Sequence, residues 1–407
     1  MEGEILHDFR ITHSYSENHD AENTITGEKV SLRLSPKKHR LEGEISAYKS
    51  LAGGIGIPFF DSEGSLIVTT RLGPTLENLF EKCGRQLSLK SILLIADQVI
   101  SRLELMHGRS LVHGDIKPDN FRIGIGKQGN VIHVTGLSSA SAINGTSWRH
   151  DMEALGRMLV YFGGGKTWLE LVETPLETLC DGLPEAFLYY FGQLRSSGSE
   201  RKPDYELLRR KFQKLYTDSK YPHDFVFDWT LIRYNSSNIG SIDNGQRFAE
   251  QPEYAPISQH ELKTKVVEIS NSLQDLETKF EKDYARDPLS IRQQQFRELL
   301  DEYIDWAWAL DRVSHKRPRP SNDDIAKSIW TIIERIFGLP GMKSDQQLAF
   351  FRSAYSTLAV LYVTVSASET IWALYLKKIS ERGAEFDSAC RQAWDITSEE
   401  WAKTSKS

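Results

Sequence analysis

Cysteine is scarce in this sequence, which limits how its fold can be stabilised. Cys83, Cys180 and Cys390 lie far apart in the 407 residues and form no Cys-x-x-Cys pair. This spacing argues against a disulfide framework or a zinc site and favours a reducing compartment. Residues 1–8 also lack the basic start and the apolar core of a signal peptide. We therefore expect a cytoplasmic or nuclear location.

The sequence also has no strong charge bias and no long hydrophobic run. The net charge is −6, with 26% charged and 40% hydrophobic residues. This composition is ordinary for a globular protein and argues against general nucleic-acid binding or disorder. The most apolar stretch, residues 354–376, contains Glu369 and several Ser and Thr residues. A buried helix is favoured there over a membrane span, so we expect no nucleic-acid partner and no membrane association.

One short segment, residues 113–120, brings three useful chemical groups together. It reads His-Gly-Asp-Ile-Lys-Pro-Asp-Asn. Asp115 offers a carboxylate to receive a hydroxyl proton, Lys117 an ammonium to steady a phosphate, and Asn120 a carboxamide oxygen for Mg²⁺. This combination suits phosphoryl transfer.

The same segment resembles the catalytic loop of the protein kinases, and among them the casein kinase I family, which has Arg where this chain has Gly114. The resemblance implies a two-lobed α+β fold, with Asp115 as catalytic base, Lys117 beside the phosphate and Asn120 as a metal ligand. It extends from about residue 27 to residue 229 through further similar segments at residues 51–58, 174–187, 202–205 and 223–229.

The resemblance also implies an ion pair in the first part of the chain. Residues 27–34 alternate like a strand and place Arg33 where the family has a phosphate-anchoring lysine. A broad, planar guanidinium replaces a compact ammonium at that position. Residues 41–49 resemble the regulatory helix of the family, with Glu44 opposite Arg33. We expect an Arg33–Glu44 ion pair and favour a structural over a catalytic role for it.

Other residues of the implied nucleotide cleft follow from the same alignment. Thr69 falls at the gatekeeper position, and residues 71–74, including Leu72, form the hinge between the lobes. Arg122 stands where the family has an apolar residue beneath the adenine ring. A guanidinium can stack on a purine, but burying it without a partner costs several kcal/mol. If Arg122 points inward, we expect the adenine slot to be filled and the cleft to be degenerate.

Glycine is absent where the family folds a glycine-rich loop over the phosphates. Residues 9–26 contain none. Residues that carry side chains keep backbone amides away from phosphate oxygens, so a phosphate cradle is not expected. The sequence therefore predicts a reduced N-terminal lobe.

Residues 131–137, Val-Ile-His-Val-Thr-Gly-Leu, align with the segment that carries Asp-Phe-Gly in kinases. Gly136 is kept, but Val134 replaces the aspartate that holds Mg²⁺. Valine has no lone pair for a metal, and Asn120 alone is a weak, neutral ligand. We therefore expect no bound cofactor, with ATP and Mg²⁺ relevant only if the protein retains kinase activity.

The interval that follows is short for a kinase. Residues 137–150 replace the activation segment and the platform that positions the substrate hydroxyl. Asp151 then begins a stretch that resembles the central helix of the large lobe, where it would brace the catalytic loop through backbone amides. This arrangement predicts a loop kept for architecture, with Asp115, Lys117 and Asn120 vestigial.

The second half resembles no known family. Residues 235–258, rich in Asn, Ser, Gly and Pro, indicate a linker, and residues 315–320 form a basic cluster that suits a solvated loop or a nuclear-import signal. Residues 259–407 are predicted to form an α-helical bundle. Its first helix carries an apolar heptad stripe at Leu262, Val266, Ile269, Leu273, Leu276 and Phe280.

These observations divide the chain into a kinase-like domain at residues 1–234, a linker at 235–258 and a helical domain at 259–407. The leading hypothesis is a casein kinase I-like pseudokinase that acts as a scaffold or regulator and binds a protein partner. One alternative is an atypical or weak ATP-dependent serine/threonine kinase. The other is a helical docking or dimerisation module, with self-association through the C-terminal helices.

Overall fold

The computed structural model describes residues 3–15, 18–35, 41–63, 66–144, 147–180, 182–196, 202–222, 224–230, 259–288, 291, 293–312, 322–365 and 369–405. Within these residues the fold is α+β, as predicted. A curled antiparallel sheet forms the N-terminal part, and helices dominate the rest of the chain.

The sheet has six strands in the spatial order β1-β2-β3-β4-β6-β5, and all neighbouring pairs are antiparallel. Helix α1 (Glu42–Leu51) connects β4 to β5. The glycine-free segment, from which a reduced N-terminal lobe was predicted, forms strands β2 and β3. The strands are β1 (Ile5–Leu6), β2 (Phe9–Tyr15), β3 (Asn18–Asn23), β4 (Lys29–Leu34), β5 (Phe60–Glu63) and β6 (Leu66–Thr70).

Each face of this sheet has its own packing partners. Because side chains alternate along a strand, one face buries a small apolar cluster of its own that includes Ile11, Val30 and Leu32. On the other face Ile67 belongs to the main core with Tyr48 of α1. The pattern of residues 27–34 that predicted a strand thus corresponds to β4.

Two helices lead from the sheet towards the predicted catalytic loop. Helix α2 (Leu76–Lys82) is capped by Thr75, and α3 (Leu89–Gly108) by Ser88; each hydroxyl accepts a backbone N–H of the first turn. The sequence indicates both caps, because Thr75 and Ser88 each precede a segment of helical periodicity. The same periodicity predicts an apolar face for α3, and this face is almost completely buried at Ile92, Leu93, Ala96, Val99, Ile100, Leu103 and Met106.

Short strands and further helices frame the loop itself. Strand β7 pairs with β10, and β8 pairs with β9. The strands are β7 (Leu111–Val112), β8 (Phe121–Ile123), β9 (Ile132–Val134) and β10 (Ser141–Ala142). The helices that follow are α4 (Ser147–Phe162), α5 (Trp168–Glu173), α6 (Leu176–Leu179), α7 (Glu185–Ser196) and α8 (Tyr205–Asp218).

The C-terminal part is helical, as predicted. On α9, Leu273 and Phe280 of the predicted stripe are buried, whereas Val266 and Ile269 are half-buried. The side chain of Leu262, the predicted linker and the basic cluster at residues 315–320 lie outside the described residues. The helices are α9 (Gln259–Arg286), α10 (Gln293–Arg312), α11 (Asn322–Phe337), α12 (Ser344–Thr364), α13 (Glu369–Phe386) and α14 (Arg391–Thr404).

The apolar stretch at residues 354–376 supplies buried residues of helices α12 and α13 in the C-terminal part. Ala354, Leu358 and Leu361 of α12 and Trp372 of α13 are all inaccessible to solvent. Among the helices described here, none has the length and apolar character needed to cross a bilayer.

The helical part packs directly on the N-terminal part. The buried ring of Trp394 on α14 lies 6.4 Å from the ring of Phe59. Gly53, in the turn after α1, has a φ of +79°, and a Cβ there would lie 2.7 Å from the Trp394 ring. A glycine is therefore needed both for the backbone conformation and for the contact. The hydroxyl of Tyr355 donates to the Gly53 carbonyl.

Arg109, at the end of α3, provides a second connection. Its Nη1 donates to the carbonyls of Ser50 and Ala52 at 3.0 Å each. Its Nη2 donates to Thr397 Oγ1 at 2.7 Å and to the Glu400 carboxylate at 2.9 Å. This buried guanidinium joins α3, the end of α1 and α14, so the two parts share a packed boundary.

Candidate functional site

The three residues predicted to be catalytic lie together after β7. Lys117 Nζ is 2.7 Å from the Asp115 carboxylate. Asn120 Nδ2 donates to the same carboxylate at 2.9 Å and to the Asp115 carbonyl at 2.7 Å. Partial burial raises the pKa of Asp115, but the hydrogen bonds from Lys117 and Asn120 outweigh it and hold the pKa below its usual value. The cluster is thus an ionised carboxylate between an ammonium and an amide.

Asp151 of α4 holds the backbone of this loop, as predicted. Its carboxylate accepts the N–H of His113 at 2.7 Å and that of Gly114 at 2.9 Å. Asp151 is fully enclosed and also meets His107 Nε2 at 3.1 Å. The other ring nitrogen of His107 lies 2.6 Å from the Tyr205 hydroxyl. The His107 and Tyr205 contacts were not predicted, since nothing in their local sequence distinguishes them from core residues.

Gly114 has a conformational reason to be glycine. Its φ is +77°, and a Cβ there would lie 2.9 Å from the Ser139 carbonyl oxygen. A side chain would therefore be strained in two ways, by the left-handed backbone and by the close carbonyl. The arginine that the family carries at this position does not fit this loop.

His113 connects the loop to the segment after β9. Its Nδ1 accepts the backbone N–H of Asp115 at 3.2 Å, so its Nε2 carries the proton and donates to the Thr135 carbonyl at 2.9 Å. Burial lowers the pKa of His113, which keeps the ring neutral. Thr135 N in turn donates to the Asn120 carbonyl at 2.9 Å.

Val134 lies directly before this connection and has a different environment. It pairs with Phe121 across β8 and β9, and its side chain is fully buried in the main core. Its backbone N–H donates to the Gly56 carbonyl at 2.8 Å. Gly136 approaches Asn120 so closely that a Cβ would lie 2.3 Å from Oδ1.

These donors do not fit a Mg²⁺ site. Mg²⁺ prefers several oxygen ligands, usually including carboxylates. Here the one carboxylate of the loop cluster, Asp115, already contacts Lys117 and Asn120, and Val134 supplies hydrocarbon. In the described portion of the chain, no group of three or more His, Cys, Asp or Glu side chains is arranged to hold a metal ion.

The predicted Arg33–Glu44 ion pair is present. Arg33 Nη1 on β4 lies 2.7 Å from the Glu44 carboxylate on α1. The Glu44 side chain is only 5% exposed. Burial raises the pKa of Glu44, and the charge of Arg33 only partly opposes that shift. The pair fixes α1 against the sheet.

Arg122 reaches the segment that connects the sheet to α2. Its Nε donates to the Gly73 carbonyl at 2.9 Å. Burial lowers the pKa of Arg122, while the negative charge of Asp20 on β3 opposes the shift. The hydrogen bond places the guanidinium on the side of β8 that faces the connecting segment. It is partly enclosed there, with one hydrogen bond to the connecting segment.

The two other predicted cleft residues lie on the same side. Thr69, the penultimate residue of β6, lies beside β4, with its hydroxyl 3.5 Å from the Ser31 carbonyl. Leu72 is half-buried in the connecting segment. Asp115, Lys117 and Asn120 thus lie on one loop, while Arg33 and Thr69 lie on the six-stranded sheet, Glu44 on α1, Leu72 in the connecting segment and Arg122 on β8. The nucleotide-cleft role of these residues stays a prediction.

The short interval before α4 is used for packing. Leu137–Ser139 forms a 3₁₀ turn with Leu137 fully buried. Ser141 and Ala142 then pair with β7. In the described parts of this interval, residues 137–144 and 147–150, the chain passes from this pairing into α4 without a longer extended segment.

No model of a known protein family matches this chain. The residues of the site and the resemblance in the sequence are therefore the grounds for a function.

Proposed function

We propose that residues 1–234 form a two-lobed casein kinase I-like pseudokinase domain, and that the protein acts as a scaffold or regulator that binds a protein partner and transfers no phosphate. The observation that carries the proposal is the environment of Val134. A fully buried hydrocarbon side chain occupies the position that aligns with the magnesium-binding aspartate of kinases. Without that carboxylate, a metal–triphosphate complex loses its main anionic anchor.

Arg122 supports the same proposal. Its Nε donates to the Gly73 carbonyl of the connecting segment. In the proposed cleft the position of Arg122 is the floor beneath the adenine ring. A guanidinium there replaces the apolar floor that nucleotide sites provide.

The bracing of the loop supports a structural use of the retained motif. Asp151 satisfies the buried amides of His113 and Gly114, and such buried donors must be paired for the fold to be stable. This network gives the loop residues a structural role next to Val134, which cannot bind a metal. The hydrogen bonds of the loop stabilise the fold whether or not the protein transfers phosphate.

A weak serine/threonine kinase is the second candidate. It is favoured by the 2.7 Å ion pair between Arg33 and Glu44 and by the ionised Asp115 beside Lys117. These are the groups that phosphoryl transfer would need for nucleotide positioning and proton acceptance.

A docking or self-association role for the helical part is the third candidate. It is favoured by α9, where Val267 is 58% exposed and Val266 and Ile269 are only half-buried. An apolar helix face that remains accessible is suited to a second helix. This role is compatible with the pseudokinase proposal.

The deciding experiment is phosphotransfer from radiolabelled ATP to casein and to the protein itself, using the full chain and its Asp115→Asn variant. We expect equal background incorporation with both proteins. Incorporation by the wild type that is lost in Asp115→Asn would establish the weak-kinase alternative and overturn the proposal. Because Asp115 is 40% exposed, we expect this substitution to leave the fold intact.

A further inference from the structure

A cavity of about 350 Å³ lies between the sheet and the helical part. The turn around Glu28 and Lys29, the end of β6, the turn around Lys127, and helices α10 and α12 form its walls. Its volume is within the range of small-molecule sites. The apolar part of the lining includes Val68, Ile304 and Val360.

Arg352, on α12, lines this cavity with a mostly buried side chain that has few polar contacts. Its side chain is only 17% exposed, and its shortest ion-pair distance is 3.8 Å, to Glu28. Its Nε is enclosed without a hydrogen-bond partner. Its guanidinium lies over the ring of Phe59 at 5.7 Å. A largely buried guanidinium normally makes several hydrogen bonds. Because Nε is enclosed and Nη1 has only the long contact to Glu28, the Nη end of the guanidinium is the part that can serve a ligand.

Glu28 does not compensate this charge, because other groups hold it. Its Oε1 accepts from Arg297 Nη2 and from Gln293 Nε2, at 3.1 Å in each case. Arg297 also donates to the Ser353 hydroxyl at 3.1 Å. Glu28 and Arg297 thus satisfy each other, which leaves Arg352 with only a long contact to Glu28.

The remaining charges define the ligand. Arg71 is paired with Asp20 at 3.0 Å, and Lys127 contacts Asp305; both carboxylates come from outside the lining. Arg352 and Lys29 are left among the basic lining residues, against the single carboxylate of Asp301. The lining therefore keeps a formal excess of one positive charge.

We propose that this cavity binds a small organic carboxylate, with the carboxylate on Arg352 and an apolar body against Val68, Ile304 and Val360. A planar carboxylate matches the paired donors of a guanidinium, and one negative charge balances the excess. The site is built from both parts of the chain and includes none of Asp115, Lys117 or Asn120. The cavity shares Thr69 and Arg71 with the proposed nucleotide cleft and hinge. Binding of a carboxylate there requires neither a nucleotide nor a metal, so the proposal does not rest on the pseudokinase function.

The test uses a matched pair of probes, naphthalene-2-carboxylate and its neutral amide, with the full chain. Ligand-observed NMR and thermal shift are expected to show saturable binding of the carboxylate and affinity at least about tenfold lower for the amide. Arg352→Gln should reduce carboxylate affinity to that of the amide. Asp115→Asn and Arg286→Gln, the latter at an exposed position on α9 (74% exposed), should bind as the wild type does.

A second variant covers the case in which Arg352→Gln fails to fold. Lys29→Gln changes an exposed side chain on the opposite wall and should also weaken carboxylate binding. Equal affinity for the two probes, absence of saturable binding by the wild type, or wild-type affinity in both variants would overturn the proposal. Tighter binding of inorganic phosphate than of the carboxylate would overturn the choice of ligand.

Discussion

The loop at residues 113–120 and the end of β9 are neighbours with opposite chemistry. In the loop, His113, Asp115 and Asn120 are joined by hydrogen bonds, and Asp151 accepts two backbone amides. At the end of β9, Val134 is a hydrocarbon in the core. The two meet where His113 donates to the Thr135 carbonyl. The polar network is thus maintained beside a position with no metal-binding chemistry, which indicates that the network serves the fold.

The largest effect on stability should come from placing a charge at Val134, at the apolar end of β9. Val134→Asp would bury a carboxylate without a partner, and we expect a loss of about 3–5 kcal/mol in the free energy of unfolding near pH 7. Urea unfolding followed by tryptophan fluorescence measures it. Val134→Ala, which adds no charge, should lose distinctly less.

The pH dependence of Val134→Asp identifies the cause. Burial would raise the folded-state pKa of the new carboxyl above its unfolded value. The variant should therefore recover stability relative to the wild type as pH falls towards about 4, where the unfolded state also protonates. A variant as stable as the wild type near pH 7 would mean that position 134 is open to water.

The next effect should come from removing the support of the loop. Asp151→Ala leaves the amides of His113 and Gly114 and the His107 ring without an acceptor. We expect a loss of about 3 kcal/mol or more, since each unpaired buried donor costs about 1–3 kcal/mol. Asp119→Ala, at an exposed position of the same loop, should change stability by less than about 0.5 kcal/mol. Equal effects of the two substitutions in chemical denaturation would contradict the role given to Asp151.

A smaller effect should distinguish the shape of the loop from its hydrogen bonds. Gly114→Ala forces a side chain into a left-handed conformation and towards the Ser139 carbonyl, and we expect a loss of about 1–2 kcal/mol. Gly108→Ala is the matched control, because a Cβ there meets no atom within 4 Å at the end of α3. It should be neutral or stabilising by up to about 1 kcal/mol. The same denaturation assay compares them, and a harmless Gly114→Ala would remove the conformational explanation of this glycine.

The smallest effect concerns the ion pair on the opposite side of the site. Burial raises the pKa of Glu44 above its usual value of 4.5. The stability that it contributes is therefore full below the unfolded pKa and is lost as pH rises through the folded pKa. We expect the wild type to gain stability relative to Glu44→Gln as pH is lowered from near 7 to about 5, in paired urea titrations. A loss of relative stability over this range would show that Arg33 outweighs burial.

Local patterns and the family resemblance predicted different parts of the structure. The caps at Thr75 and Ser88 and the buried face of α3 follow from short-range periodicity. The Arg33–Glu44 pair and the Asp151 contact to the loop were expected from the resemblance, which aligns these residues with motifs of defined geometry. The resemblance to casein kinase I gave the pairing of distant residues such as Arg33 with Glu44. The family relationship itself stays a prediction.

Long-range packing could not be predicted. Nothing near Arg109 signals that it binds α1 and α14 at once, and Gly53 gives no local sign of the ring of Trp394. The apolar stripe of α9 predicted a helix but not which of its residues remain exposed. The absence of glycine in residues 9–26 argued against a phosphate cradle but did not reveal that this segment forms β2 and β3. Pairing with β4 stabilises β3 independently of glycine content.

The central claim is that the proposed cleft has no metal anchor. The most direct test is calorimetric titration of the full chain with ATP, once with Mg²⁺ and once with EDTA. The account predicts that Mg²⁺ does not increase nucleotide affinity, because Val134 supplies no ligand and Asp115 is held by Lys117 and Asn120. Saturable binding of ATP that requires Mg²⁺ and is lost in Asn120→Ala would contradict it.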